Sequence, residues 1–466
     1  MNMRIATAQQ MRETDRIAIQ ERGIPSTDLM ERAAAALAEE VINLTGDWAG
    51  RVVCFCGPGN NGGDGVACAR QLLEAGFEVR CVLVGSREKM TQDTRAMEAK
   101  LAAAGGRLEP FQPDDSGFAA WCLEANVMVD ALFGIGLNSD VRGDALIAVH
   151  MMNTCDIPVV SADIPSGVET DTGRVLGEAV YAARTVTFTL PKAGHYVGKG
   201  GLCTGQLTVA DIGIPKDLVD GLDCPVCTVE AADVRLPRRP RDAHKGDFGR
   251  CAILGGSVGY TGAPVLAAQA AVRSGAGLVS VGVPTPVWAV AAAKLDEAMP
   301  YPLPAGKEGQ LSLEAGEAIH NKLAGCGVCL VGPGLGRGNG VAAVVRHLLH
   351  EIHIPVILDA DGINALEGHI DVLDARQGLH TVLTPHDGEF ARLGGDLSDG
   401  DRLGAARRFA MEHSCCLVLK GHRTITAFPD GTAYINTTGN PGMAKGGSGD
   451  VLAGVILSLL GQGLPA

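Results

Sequence analysis

From Arg51 the chain alternates short β-branched runs with stretches whose apolar residues recur at helical spacing. RVVCFC opens the series, a helical pattern follows Asp64, and then come EVRCVLV, a helical pattern near Thr91 to Ala104, and VMVDALF. IPVVSADIP, TVTFTL and GQLTVADIG extend it. Apolar runs alternating with helices predict a parallel sheet covered on both faces. A segment rich in proline and charge, 221–241, breaks the pattern and is expected to be a linker, which leaves a first domain at 1–220. A second series fills 242–466 with RCAILGG, a small-residue helical pattern over Gly262 to Ser274, GLVSVGV, GVCLVGPG, IPVILDAD, HTVLTPH and CCLVLKG. It predicts a second α/β domain. The two series share no repeat and their glycine loops differ in spacing, so the chain reads as a fusion of unlike domains.

Composition narrows the function classes. A length of 466 residues favours two or three domains, and 46% hydrophobic with 20% charged residues is a globular composition. The net charge of -14, with no Lys/Arg stripe to offset it, argues against a nucleic-acid partner. No apolar run is long enough to span a bilayer, and Met1 to Gln20 lacks a signal-peptide core, so no membrane partner and a cytoplasmic location are expected. Among 14 cysteines, the pairs Cys224/Cys227 and Cys326/Cys329 have CxxC spacing. The pairs lie far apart and Cys329 begins an apolar run, so reduced, mostly buried thiols are expected in place of a zinc site.

Candidate chemistry gathers at strand ends. RVVCFC runs into GPGNNGGDG, Gly57 to Gly65, with a helical pattern from Val66. The glycines are read as permitting φ > 0 and close approach of a phosphate to backbone amides and a helix N-terminus. DALFGIGLNSD and ADIPSG place Asp130, Asp163 and Ser166 at the same sheet edge, where open α/β sheets bind ligands. Asp130 or Asp163 alone also reads as a cap or turn former. In the second series Gly255, Gly256 and Ser257 follow the first strand, VGPGLG, ILDADGIN and LTPHDGEF follow later ones, and Gly446 to Gly449 lead into a helix with Asp450 in its first turn. A glycine turn at a helix N-terminus beside a carboxylate suits phosphoryl transfer to a hydroxyl.

GPGNNGGDG, DALFGIGL, ADIPSGVETDTG and TVTFTLPKAG resemble the NAD(P)H-hydrate epimerase domain, a Rossmann-like three-layer fold. That family interconverts the R and S epimers of NADHX and NADPHX, which carry a hydroxyl at C6 of the nicotinamide ring, and uses potassium. The resemblance implies that Asn60, Asn61, Gly62, Gly63 and Asp64, with Gly134, Ile135, Gly136, Leu137, Asn138, Ser139 and Asp140, cradle the hydrate. It implies that Asp163 contacts the ring and acts catalytically, and that Asn61, Asp130 and Ser166 hold the potassium ion. One departure is LMERAA, Leu29 to Ala34, where the family has Asn and Gly after Met-Glu.

HKGDFG, GGSVGYTGAP, SGAGLV, GPGLG, DADGIN, TPHDGE, KGHRT and GNPGMAKGGSGDVLAG resemble the ribokinase-like ADP- or ATP-dependent (S)-NAD(P)H-hydrate dehydratases. By this resemblance Ala263, Gly334, His386 and Asp450 contact the hydrate, and Asp450 is the base that frees its hydroxyl. Lys420, Gly421, His422, Arg423, Thr424 and Gly449 bind the nucleotide, with magnesium. ADP is favoured over ATP by likeness to bacterial members. Such members continue for one or two elements beyond the helix opened by Asp450, so this domain is expected to lack them. The implied protein is a bifunctional repair enzyme and a homo-oligomer. Two alternatives stay open: a ribokinase-like small-molecule kinase with an accessory domain, and a first domain that is a binding module.

Overall fold

The computed structural model describes residues 3–46, 49–236 and 238–466. The chain packs as two units, 2–228 with 400–403, and 229–399 with 404–466. The break falls inside the segment read as a linker, because Val226–Val229 is a strand. It pairs antiparallel with Arg4–Ile5 and buries Val226 and Thr228 on alternate positions.

The first unit carries a seven-stranded sheet in the order Leu108–Pro110, Glu78–Leu83, Arg51–Cys56, Val127–Ala131, Val159–Ala162, Arg184–Phe188 and Gln206–Ala210. Every pairing is parallel. The strand Arg51–Cys56 shows why three layers form. Val52, Cys54 and Cys56 join one apolar core with Leu37, Leu72 and Met97 from helices Ser26–Thr45, Asn60–Glu74 and Gln92–Ala103. Val53 and Phe55 point into the other core, with Phe118 and Met152. Both faces of the strand are covered, as its unbroken apolar run requires.

In the second unit the order is Met299–Leu303, Leu278–Pro284, Arg250–Leu254, Val328–Val331, Val356–Leu358, Thr381–Leu383, Cys416–Leu419, Ile425–Ala427 and Ala433–Asn436. Pairing is parallel up to Cys416–Leu419 and antiparallel in the final hairpins. Helices Gly262–Arg273 and Ser448–Gly461 lie on one face, with Ala267, Ala271, Ala453 and Leu457 in a common core. They approach so closely that a Cβ on Gly454 would strike the Ala267 carbonyl. Small residues here set helix spacing, and through it the position of Asp450.

Candidate functional site

In the first unit the chain adds strands outward from Arg51–Cys56, then returns to place Val127–Ala131 on its other side. The crevice at the carboxyl ends of these two strands is the topological switch point, where α/β sheets bind ligands. A cavity of about 710 Å³ opens there. Asn60, Asn61, Asp64, Gly134, Ile135, Gly136, Leu137, Asn138, Ser139 and Asp163 line it.

The glycine motif works differently from the sequence reading. The helix begins at Asn60, so Gly62 and Gly63 lie within its first turns, and no glycine of Gly57–Gly65 has positive φ. Their role is close approach: a Cβ on Gly62 would strike the Gly57 carbonyl, and one on Gly63 would meet Met30 at 2.7 Å. Both are buried against protein and neither lines the cavity, unlike Asn60, Asn61 and Asp64. Asp140 is also outside the lining and pairs with Arg142 at 3.4 Å in an exposed position. Three expected hydrate contacts thus fall away from the cavity. Helix Asn60–Glu74 has no side-chain cap, so its first amides remain free for a ligand.

Asp163 follows strand Val159–Ala162 and sits at φ 62°, an uncommon conformation for a residue with a Cβ, which costs about 1 kcal/mol or more. Its Oδ1 accepts from Lys192 Nζ at 2.6 Å and Thr187 Oγ1 at 3.1 Å. Lys192 also donates to Thr187 Oγ1 and to the Phe188 carbonyl. Burial works to raise the Asp163 pKa, but the Lys192 charge and hydrogen bond outweigh it and hold the carboxyl below its ordinary range. Oδ2 faces the other way: a Cβ on Gly134 would lie 3.3 Å from it and 3.2 Å from Asn61 Oδ1. His195 closes the arrangement, with Nε2 2.8 Å from the Asp163 carbonyl and Nδ1 accepting from Lys192 N. Burial pushes the imidazole down to about 4, so it stays neutral.

Asp130 and Ser166 lie beneath the cavity wall and not in it. Asp130 Oδ2 accepts from Ser161 Oγ and Ser166 N, each at 2.8 Å, and Oδ1 accepts from Ser166 Oγ at 2.6 Å and Leu132 N at 3.3 Å. Burial raises this carboxyl, with the donors of Ser166, Ser161 and Leu132 opposing the rise.

The second unit has the same switch-point logic between Arg250–Leu254 and Val328–Val331. The loops after these strands are tied together: Gly256 N donates to the Pro333 carbonyl at 2.8 Å and Ser257 Oγ to the Gly334 carbonyl at 2.8 Å. Gly334 has φ 66° and its missing Cβ would sit 3.2 Å from Ala263 Cβ, so these two predicted contacts are neighbours. Helix Ser448–Gly461 starts after Gly447, whose φ of 88° turns the chain, and Asp450 lies in the first turn.

Around that turn Lys420 Nζ is 3.0 Å from Asp359 Oδ1 and 3.7 Å from Glu389 Oε2. Asp359 also accepts from Thr384 Oγ1 at 2.8 Å. A Cβ on Gly449 would lie 3.6 Å from Lys420 Nζ and 3.9 Å from Asp359 Oδ2. Burial, reinforced by Asp359 and opposed by Lys420, pushes Asp450 up to about 6. His386 caps helix Asp387–Arg392, with Nδ1 accepting from Gly388 N at 3.0 Å, and its Nε2 lies 3.5 Å from Glu389 Oε1. It is therefore both a cap and a member of the cluster. Gly421 and Thr424 close a turn on themselves, with Thr424 Oγ1 3.2 Å from the Gly421 carbonyl, and Arg423 at φ 59° donates to the Thr437 carbonyl. The exposed His422 is next to it, and partial burial with the Arg423 charge lowers its pKa.

Sequence reasoning did not assign Asp15, Thr187, Lys192 or His195 in the first site, nor Asp359, Thr384 or Glu389 in the second. Lys192 lies within TVTFTLPKAG and Asp359 ends the run IPVILDAD, so polar residues beside strand ends were the available signal.

Residues 26–194 match the family described as YjeF-related protein N-terminus, and 251–466 match NAD(P)H-hydrate dehydratase. The chain is 42% identical to the bifunctional NAD(P)H-hydrate repair enzyme Nnr of Moorella thermoacetica, covering 99% of this chain and 89% of that one. It is 39% identical to the Salinibacter ruber enzyme of the same name, covering 99% and 88%. Among solved structures, an ADP/ATP-dependent NAD(P)H-hydrate dehydratase from Bacillus subtilis, co-crystallised with ATP/Mg2+, is 33% identical, covering 48% of this chain and 77% of that one with a TM-score of 0.39. Because single relatives run through both units at this identity, the two sites belong to one enzyme type, and the chain is a member of the bifunctional NAD(P)H-hydrate repair enzyme family.

Proposed function

We propose that the first site interconverts the R and S epimers of NADHX and NADPHX, and that the second site dehydrates the S epimer with ADP or ATP. The observation that carries the first half is the anionic Asp163, pinned through Oδ1 by Lys192 and turning Oδ2 toward Gly134 and Asn61. Epimerisation takes C6 through a planar state, and a fixed carboxylate beside the ring can take or return the proton of its hydroxyl. Asn60, Asn61, Asp64 and Gly134 to Ser139 form the walls that hold the hydrate.

Potassium suits this site. The buried Asp130 meets hydroxyl and amide donors and no cationic partner among the described residues. Asn61 offers its side-chain carbonyl oxygen, the amide atom able to ligate a cation, beside Gly134. Asn61, Asp130 and Ser166 would hold a monovalent cation, whose charge offsets that of Asp130.

In the second site Asp450 accepts the C6 hydroxyl proton while that oxygen attacks the terminal phosphoryl group. The amides of the turn Gly447 to Gly449 face the developing phosphoryl charge, and Lys420, held by Asp359 and Glu389, supplies a fixed cation. Phosphate then leaves C6 as a proton leaves the adjacent ring carbon, and NAD(P)H is restored. Magnesium enters with the nucleotide: no three His, Cys, Asp or Glu side chains among the described residues converge as a cage, and magnesium keeps phosphate and water ligands.

Absorbance at 340 nm tests the reading. The chain, given mixed NADHX epimers, magnesium and ADP or ATP, is expected to convert both epimers to NADH. Recovery of the S epimer alone would remove the epimerase half, and a stable phosphorylated product would replace the dehydratase half with a kinase.

A further inference from the structure

The cavity of the first unit contains a second carboxylate that the proposed reaction has not yet used. Asp15 lies on helix Ala8–Arg16, which is fixed at its start by a capping box between Thr7 and Gln10. Its carboxylate lines the cavity wall and has no hydrogen-bond or ion-pair partner among the described residues. Asp163 approaches the same cavity from a strand end, fixed by Lys192. Asp15 and Asp163 thus face one space from unconnected elements, Asp163 clamped and Asp15 unengaged, with Asp64 and Asp93 also in the lining.

Epimerisation at C6 calls for two proton-handling groups. If water leaves one face of the ring and returns to the other, the departing oxygen must receive a proton and the incoming water must lose one. A single group fixed on one side serves one of these events.

Resting on the epimerase reading above, we propose that Asp15 is the second catalytic acid–base group of the first site, paired with Asp163 across the nicotinamide ring. In one direction the Asp15 carboxyl protonates the C6 hydroxyl, and the C6–O bond breaks with its electron pair going to the departing water. The ring nitrogen lone pair forms the N1=C6 bond. A water oxygen then bonds to C6 on the opposite face, the π pair returns to N1, and Asp163 takes the proton released. The proton gained by Asp163 returns to Asp15 through solvent. The reverse direction exchanges the two roles, and no oxidant or reductant takes part.

The surroundings divide the labour in this way. Burial, opposed by Lys192 and reinforced by Asp163, pushes Asp15 up to about 6, whereas Asp163 is held low. Two carboxyls with pKa values driven apart are the arrangement that acid–base pairs use. Asp64, facing the cavity from helix Asn60–Glu74, is raised well above its ordinary value by burial, Asp163 and Asp15. No cation or hydrogen-bond donor among the described residues opposes that rise, and Asp64 sits on the helix of the glycine motif, away from the helix that carries Asp15. The cations on the helix of Asp15 are Arg12, whose Nη2 is occupied by the Ile135 carbonyl at 2.7 Å, and Arg16, which pairs with Glu13 and Glu21.

The test is Asp15→Asn in the full chain, assayed without nucleotide so that only epimerisation runs, with chromatographic separation of the R and S forms across pH 5 to 9. A fall in kcat of ~100-fold or more is expected, with KM changed little, loss of the pH limb near 6, and partial recovery in Asp15→Glu. Dehydration of pure S epimer with ADP or ATP, measured on the same sample, reports that the variant chain is folded. A kcat within ~3-fold of the parent with the limb intact would remove Asp15 from the chemistry and leave the epimerase reading standing. A parent chain that does not interconvert the epimers would overturn both.

Discussion

Lys192 Nζ stands 2.6 Å from Asp163 Oδ1, with both residues buried at the mouth of the sheet. The pair holds an ionised carboxylate where burial alone would protonate it. Replacing Lys192 with Met leaves Asp163 as an uncompensated buried charge, a change that costs about 3–5 kcal/mol. The expected outcome for Lys192→Met is a first-unit unfolding transition at lower denaturant and loss of epimerisation. Urea titration of parent and variant checks it, and an unchanged midpoint would show that the pair is energetically idle. Asp163 is the depressed member of this linkage, so its stabilisation is present above the unfolded carboxylate value near 4 and is lost as pH falls through its lower folded value.

Two glycines in expected binding segments separate fold from site. Gly134→Ala puts a methyl 3.2 Å from Asn61 Oδ1 and 3.3 Å from Asp163 Oδ2, inside the cavity wall. Gly62→Ala drives one into the Gly57 carbonyl, where backbone must shift. Gly134→Ala should keep its Tm within a few degrees and lose epimerisation, whereas Gly62→Ala should lose ~2 kcal/mol or more of stability. Differential scanning calorimetry with an epimer assay distinguishes them.

That contrast also marks what was legible in the sequence. The order of strands and helices was plain, because runs such as RVVCFC are buried on both faces and carry no competing pattern. The crevice followed, since Asn61 at a helix start and Asp163 at a strand end meet at one sheet edge. What the glycines do was not legible. The string GPGNNGGDG reads equally as a left-handed loop or a tightly packed helix start, and only the neighbouring Gly57 carbonyl and Met30 side chain decide it. Lys192 was hidden for a similar reason: its partner is 29 residues away and nothing local marks the pair. Asp359 likewise acquires meaning only when strand pairing brings Thr384 and Lys420 beside it.

Potassium should act on the first unit as a ligand. If it offsets Asp130, replacing potassium with choline chloride at equal ionic strength should lower the first-unit Tm by several degrees, since a ligand of the native state stabilises by mass action. Asp130→Asn should abolish that difference. It should also lower the baseline Tm, because an amide cannot accept all four hydrogen bonds the carboxylate holds. Equal Tm values in the two salts would exclude the cation.

His195 should weaken the first unit as pH falls, while the raised Asp15 acts in the opposite sense below pH 6. His195 is neutral in the fold, pushed down to about 4 by burial, while in the unfolded chain it protonates near 6.5. Between these values the unfolded state binds more protons at this position, so the His195 contribution to stability falls as pH drops from 6.5 towards 4, by up to ~3 kcal/mol. His195→Gln keeps ring-like donor and acceptor groups without titrating. Its urea midpoint should be flatter across that window than the parent's, and identical slopes would show that His195 is not the acid-sensitive group.

Asp450 carries the opposite sign and a separate readout. Burial, with Asp359 reinforcing and Lys420 opposing, places its folded value at about 6, above the unfolded carboxylate range. The native state therefore binds the extra proton between about 4 and 6, and ionised Asp450 is a small burden on the fold above pH 6. Because the group is partly solvated, Asp450→Asn is expected to raise the second-unit Tm only slightly at pH 8 and to leave it unchanged at pH 4. Catalysis responds the other way. A base must be ionised to take the C6 hydroxyl proton, so NADH formation from S-NADHX should rise through pH 6 and level off, and Asp450→Asn should lower kcat by ~10² to 10⁴ with little change in nucleotide KM. A variant that gains stability and loses rate together would identify Asp450 as a group held against the preference of the fold for the sake of phosphoryl transfer. A variant that loses both would assign it to structure.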